Sequence, residues 1–276
     1  MKLWAALLLL AQEPTVERLI DAGRLAEARA RLGAIKDDPN RLLMLEAMIL
    51  YRESKPTPAL DRVQRLLRLA PPTANMHKLA ALCLVALSRR EEAGPHLREA
   101  VALDPKDFMA HYYLGVHLLE TQQPAEAAET LGAAIALSPS YGDAHTMLGY
   151  ARELTGREAE ALTHYRKGVA LGPGNESAHL YLARFLTSRD RHGEALPVLE
   201  AASRINPRRA ETWRLLGRAL GGSGLQAEAV EALKTALALA PDDKRARYLL
   251  MQTYQKMGRT DDAERERVLY EKSGQR

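Results

Sequence analysis

Four histidines, His77, His111, His145 and His179, recur at intervals of 34 residues, and a set of imidazoles is the usual donor set for a zinc or copper site. The spacing argues against that chemistry. Residues in equal register on stacked helical elements lie about 10 Å apart, whereas metal ligands must converge to ~2.0–2.1 Å from one ion. Trp213 continues the histidine series, so the position calls for a bulky side chain packed between helices. Cys83 is the one cysteine; it cannot form an internal disulfide or a cysteine-based zinc site, and it reads as a small buried hydrophobe and not as a nucleophile. Gly221-Gly222-Ser223-Gly224 lacks the Lys-Ser/Thr that completes a phosphate loop and reads as an early helix end. Asn175-Glu176-Ser177 matches a glycosylation sequon, which matters only in a eukaryotic secretory pathway. No Ser/His/Asp set or carboxylate pair stands outside the repeating pattern. The expectation is a protein with no enzymatic activity, no cofactor and no metal.

The elements that carry these residues are helical. The chain has 276 residues, 46% hydrophobic and 27% charged, enough apolar material for a core and too much for a disordered chain. Only 14 residues are aromatic (10 Tyr, 2 Trp, 2 Phe), while Ala and Leu carry most of the apolar count. That balance favours helices, because strands select β-branched and aromatic side chains. The net charge of +4 comes from 39 basic and 35 acidic residues interspersed along the chain. Nucleic-acid binding needs basic residues clustered on one face, so a nucleic-acid partner is not expected despite a pI of about 9.1.

Prolines at 71, 105, 139, 173, 207 and 241 are each 34 residues apart, and alanines at 59, 93, 127, 161, 195, 229 and 263 keep the same period. Leu114, Leu148, Leu182, Leu216 and Leu250 do so too. The chain is therefore a tandem array. With each proline at position 32, repeats begin at Asn40, Ala74, Phe108, Gly142, Glu176, Ala210 and Lys244, and a shorter copy around Gly23–Ala28 makes eight. Positions 4, 7, 8 and 11, then 20, 24 and 27, are apolar or small at helical spacing, so each repeat is two helices. Gly23, Gly156, Gly224 and Gly258 at position 15 mark the break between them. Small residues at position 8 (Ala81, Gly115, Gly149, Ala183, Gly217) let the two helices approach closely where they cross.

These residues resemble the tetratricopeptide repeat. Residues 210–241 fit its pattern throughout, with Trp213, Leu216, Gly217, Leu220, Ala229, Leu233, Ala236 and Pro241. The resemblance spans residues 12–272. It departs where Glu46 replaces leucine in the second repeat and Arg267 replaces an apolar residue in the last. The charge-rich segment Asp261 to Lys272 suits a terminal cap whose outer face meets water. The resemblance implies an all-α solenoid, a right-handed superhelix of about eight helix-turn-helix units. These lie near residues 12–39, 40–73, 74–107, 108–141, 142–175, 176–209, 210–243 and 244–276.

At 100° per residue, positions 4, 7, 8 and 11 of the first helix centre on one face, and positions 2, 5, 9 and 12 centre about 130° away. In proteins that the chain resembles, this second stripe lines a concave groove that grips an extended peptide or a partner helix. Here it comprises Met44, Met48 and Tyr51; Lys78, Leu82 and Val85; Met109, Tyr112, Val116 and Leu119; then Asp143, Thr146, Tyr150 and Glu153. It continues with Leu180, Arg184 and Thr187; Glu211, Arg214 and Arg218; and Arg245, Tyr248 and Gln252. The first half is apolar, with adaptable methionines and tyrosines suited to a hydrophobic partner segment. The second half collects Arg184, Arg214, Arg218 and Arg245, which suit carboxylates or phosphates unless Asp143, Glu153 and Glu211 pair with them. The carboxylate-clamp subgroup wants Lys at 5, Asn at 9 and Asn at 6 of the next repeat; Lys78 is followed by Leu82 and Tyr113, so that subgroup is not supported. Truncating Leu148 at position 7 is expected to cost ~2–5 kcal/mol, and altering Thr146 on the groove stripe to cost little.

Met1 and Lys2 precede the apolar run Leu3–Ala11, far short of the ~20 residues that span a bilayer. Residues 1–11 read either as a signal-like segment or as an N-terminal capping helix. Pro14, suited to a fresh helix start, tilts the reading towards an exported protein, periplasmic or secreted, over a cytoplasmic one. The leading expectation is a non-catalytic scaffold that binds a protein or peptide partner in the groove. The alternatives are an accessory subunit of an enzyme or envelope assembly, and a homo-oligomer formed through groove or end faces.

Overall fold

The computed structural model describes residues 14–272, and every described element is an α-helix or the turn joining two. The expectation for residues 1–11 lies outside the described residues. The chain divides into two compact units, residues 1–137 and 138–276.

The first unit holds α1 (Val16–Asp21), α2 (Leu25–Leu32), α3 (Pro39–Arg52), α4 (Pro56–Leu69), α5 (Ala74–Ala86), α6 (Arg90–Leu103), α7 (Phe108–Glu120) and α8 (Pro124–Leu137). The second holds α9 (Gly142–Leu154), α10 (Glu158–Leu171), α11 (Glu176–Ser188), α12 (His192–Ile205), α13 (Ala210–Gly222), α14 (Gln226–Leu239), α15 (Lys244–Lys256) and α16 (Thr260–Lys272). Odd-numbered helices are the first of each repeat and even-numbered ones the second. Within each unit, the helices of a repeat pack on one another and on those of the next.

The first helices of the repeats start on side-chain caps, except at α9 and α13. Thr15, Asp38, Thr73, Asp107, Asn175 and Asp243 accept hydrogen bonds from backbone N–H groups of the first turn, satisfying donors that lack a partner inside the helix. The same helices end in one turn repeated eight times. The residue at position 15 takes the left-handed conformation, and the N–H of position 16 returns to the carbonyl of position 11, as in Arg89 to Leu84 at 2.8 Å and Arg157 to Arg152 at 2.8 Å. Four of these positions are the expected glycines 23, 156, 224 and 258; the other four are Ser54, Ser88, Gln122 and Asp190, with φ between 54° and 61°. The turn is thus a property of the register, and the missing glycines concealed it in half the repeats.

The pairing of helices rests on a size exchange. A Cβ on Gly115 would lie 2.5 Å from Leu131, one on Gly149 2.8 Å from the Tyr165 ring, and one on Gly217 2.5 Å from Leu233. Each contact joins position 8 to position 24, so the small residue makes room for a large side chain on the paired helix. The position-20 alanines are fully buried in seven repeats, Ala28 included, and nearly so at Ala263. Glu46, which breaks the pattern at position 7, is neutralised by Arg62 across its helix pair at 2.8 Å. Arg267 is half-exposed and bridges Glu264 and Glu271 along one face of α16.

The histidine row has structural partners. Nε2 of His111 lies 3.0 Å from the Pro105 carbonyl and Nε2 of His145 3.1 Å from that of Pro139. Trp213 Nε1 donates to Pro207 at 2.8 Å and Arg247 donates to Pro241 at 2.8 Å. In these four repeats position 4 supplies an N–H that holds the proline turn six residues upstream, which refines the expectation of mere bulk; His77 instead meets His96, and His179 the Asn175 carbonyl. Cys83 is fully buried, and desolvation pushes its thiol up to about 11, far from a reactive thiolate.

Candidate functional site

In the first unit, α1, α3, α5 and α7 together line a groove of about 770 Å³. Six of its walls are residues of the stripe, Met44, Met48, Tyr51, Lys78, Leu82 and Met109, and Tyr113 completes it. A volume of this size falls within the ~300–1,000 Å³ of ligand-binding clefts. The groove continues past Leu82 and Tyr113 into a smaller apolar recess of about 210 Å³ that includes Val85, Tyr112 and Val116. Charges at the rim are compensated: Arg41 pairs with Glu17 at 2.9 Å, Arg52 lies 3.9 Å from Asp21, and Lys78 pairs with Asp107, which also caps α7. Burial pushes the Tyr51 and Tyr113 phenols up, so both stay neutral and keep an O–H to donate. The floor is soft and apolar, with phenols as its polar points.

The stripe is not uniformly open. Every residue at position 9, from Met48, Leu82 and Val116 to Tyr150, Arg184, Arg218 and Gln252, is exposed or half-buried. Leu119, Thr146, Leu180 and Thr187 are buried, which corrects their placement on the open face. Helix geometry gives the reason: position 12 lies roughly 40° and position 5 roughly 60° from position 8, which faces the paired helix. Thr146 donates to the Gly142 carbonyl at 3.2 Å, and a Cβ on Gly168 of the paired helix would clash with its hydroxyl. Thr187 donates to the Ala183 carbonyl at 2.8 Å. The expectation that Thr146 is an inconsequential groove residue is therefore withdrawn.

Position 6, outside the stripe of positions 2, 5, 9 and 12, also reaches this face. Tyr113 and Tyr181 occupy it in the repeats starting at Phe108 and Glu176, and both are half-buried against the stripe. Tyr181 lies 5.4 Å from Tyr150, ring centre to ring centre, with the Arg184 guanidinium 5.6 Å from its own ring. The signal was present in the sequence as two tyrosines 68 residues apart, two periods of the repeat.

In the second unit the stripe is polar and its arginines differ in their partners. Arg214 pairs with Asp243 at 2.9 Å and is mostly buried; Arg184 lies 3.8 Å from Glu211. Among the described residues, the carboxylate that Arg218 reaches is the exposed Asp190, at 4.0 Å. Arg214, Arg218, Arg245 and Tyr248 share a pocket of about 350 Å³ with Lys244, Leu249 and Tyr270. No group of three potential metal ligands occurs among the described residues, and none of the described helices is long and apolar enough to cross a membrane.

Tetratricopeptide repeat family models match residues 44–108, 78–140 and 114–176, and residues 154–219 and 223–266. No curated protein matches the chain. Among solved structures, a MamA fragment from Desulfovibrio magneticus RS-1 is similar at 21% identity and a TM-score of 0.57, over 61% of this chain and 95% of that one. YrrB, described as a TPR protein with an unusual peptide-binding site, is similar at 21% identity and a TM-score of 0.55, over 67% of this chain and 96% of that one. The APC/C hetero-tetramer Cut9-Hcn1 gives a TM-score of 0.72 at 14% identity, over 86% of this chain and 48% of that one. The 34-residue period, the helix pairs and the family matches from residue 44 to residue 266 agree: the chain belongs to the tetratricopeptide repeat family.

Proposed function

We propose that this protein is a non-catalytic interaction scaffold whose first unit seats an apolar segment of a partner protein. The observation that carries this reading is the groove between α1, α3, α5 and α7, floored by Met44, Met48, Leu82 and Met109 and polarised by Tyr51 and Tyr113. Unbranched methionines adapt to an irregular ligand surface, and tyrosines offer large contact area with a hydrogen-bonding tip. The compensated rim removes any reason for a highly charged ligand to prefer this site. A segment with leucine, methionine or aromatic anchors is the chemistry that fits. A structural relative described as having a peptide-binding site, YrrB, supports a peptide as the ligand.

The test is affinity capture from the native organism with wild type, Met48→Glu and Leu82→Glu, each checked for intact helicity by circular dichroism. Both positions are half-buried on the groove side of their helices, so a carboxylate there faces the ligand with little disturbance of the core. Loss of the same partner band in both variants is the expected result. Equal recovery from all three proteins would overturn the reading, as would recovery of nothing but a second copy of the chain.

A further inference from the structure

The pocket between α13, α15 and α16 in the second unit has a charge imbalance that the first unit's groove lacks. Its walls carry Arg214, Arg218, Lys244 and Arg245 and no carboxylate. The nearby acids are already engaged: Asp243 pairs with Arg214 at 2.9 Å and caps α15, and Glu266 pairs with Arg247 at 2.8 Å. Among the described residues, Lys244 and Arg245 meet no carboxylate, and Arg218 has only Asp190, 4.0 Å away and 81% exposed. Three cations are therefore in excess around one concavity, a setting that favours an incoming anion. Two phenols share it. The Tyr248 and Tyr270 rings lie 6.0 Å apart, and the Tyr248 oxygen accepts a hydrogen bond from Gln252 at 2.9 Å, which leaves its own O–H to donate.

We propose that this pocket is a second docking site, specific for an acidic segment of a partner protein, in which Arg218 and Arg245 take carboxylate side chains and Tyr248 lends a hydroxyl donor. Guanidinium groups bind carboxylates through two parallel hydrogen bonds, and tyrosine rings supply apolar contact for the intervening residues. An extended nucleic acid fits less well, because the cations do not continue as a stripe: Glu211 beside Arg184 and Asp190 beside Arg218 interrupt them. The site is separate in residues and chemistry from the apolar groove of the first unit and does not depend on it.

Fluorescence anisotropy of the full chain with a labelled ten-residue peptide of alternating Glu and Ala tests the proposal, with the Gln-Ala peptide as its neutral match. Binding of the acidic peptide is expected to saturate, to weaken as salt rises, and to fall at least about tenfold in Arg218→Glu/Arg245→Glu. Arg204→Glu/Arg208→Glu, at two exposed residues outside the pocket, makes the same change in net charge and is expected to bind as wild type does, as is the groove variant Leu82→Glu. The proposal is overturned by equal binding of the Gln-Ala peptide, by equal affinity in the pocket double variant and this charge-matched control, or by no saturable binding. Tighter binding of an oligothymidylate or of anionic vesicles than of the acidic peptide would also overturn it.

Discussion

His145 and His164 face each other across one helix pair with their Nδ1 atoms 3.1 Å apart, and the Nε2 of His145 is committed to the Pro139 carbonyl. His145 therefore carries its proton on Nε2 and accepts at Nδ1, while His164 donates from Nδ1. His145 must be neutral for this arrangement, because a proton on its Nδ1 would set two donors against each other. Burial, with His145, Lys167 and Arg152 adding to it against an opposing Glu160, brings His164 down to about 4, and His145 is lowered by burial as well. The equivalent pair in the first unit, His77 and His96 with Nδ1 atoms 2.9 Å apart, is lowered by burial in the same sense. A histidine held below its ordinary value of about 6.5 contributes stability that is complete above that value and is lost as the pH falls towards the folded value. The thermal midpoint is accordingly expected to drop between pH 7 and pH 5, and to drop less in His164→Gln, as followed by circular dichroism melts. Gly149 illustrates a different balance. Alanine would gain about 1 kcal/mol in helix propensity, but its Cβ would lie 2.8 Å from a Tyr165 ring that is fully buried and held by a 2.6 Å hydrogen bond from its hydroxyl to Glu153. Overpacking of about 1–3 kcal/mol wins, so Gly149→Ala is expected to lower the urea midpoint.

At the scale of the helix and the turn, the period of 34 made most of the architecture legible. The small residues at position 8 meet position 24 of the paired helix, as at Gly115, Gly149 and Gly217, and position 20 is buried in every repeat. Two things were harder to read. The left-handed turn at Ser54, Ser88, Gln122 and Asp190 carries no glycine to announce it, although strict register places it. The open stripe is narrower than positions 2, 5, 9 and 12 imply, because positions 5 and 12 lie within about 60° of position 8, and Thr146, Leu180 and Thr187 there are buried. The strain in the non-glycine turns has a consequence. A non-glycine residue in the left-handed region costs about 1 kcal/mol, partly offset by the greater unfolded-state entropy of glycine. Gln122→Gly, at φ 59°, is expected to stabilise the first unit by about 0.5 kcal/mol, measured by urea unfolding. An unchanged or lowered midpoint would show that the Gln122 side chain contributes more than its backbone costs.

For the whole molecule, each compact unit presents a distinct chemistry. The first joins methionine, leucine and tyrosine side chains around compensated charges; the second leaves Arg218, Lys244 and Arg245 in excess beside tyrosines. The change from apolar to basic along the stripe was legible in the sequence, as was the helical class. Which arginines remain available was not, since Arg214 is taken by Asp243, a capping residue 29 positions away whose role as its partner depends on how successive helices stack. The central claim, that the first unit's groove holds a segment of another protein, is tested most directly by photo-crosslinking in the native cell. A benzophenone amino acid placed at Leu82 in the groove is expected to give a discrete adduct with another protein. The same group at Arg65, exposed on α4 outside the groove, is expected to give none. Adducts of equal yield from both positions, or an adduct at Leu82 only with a second copy of this chain, would contradict it.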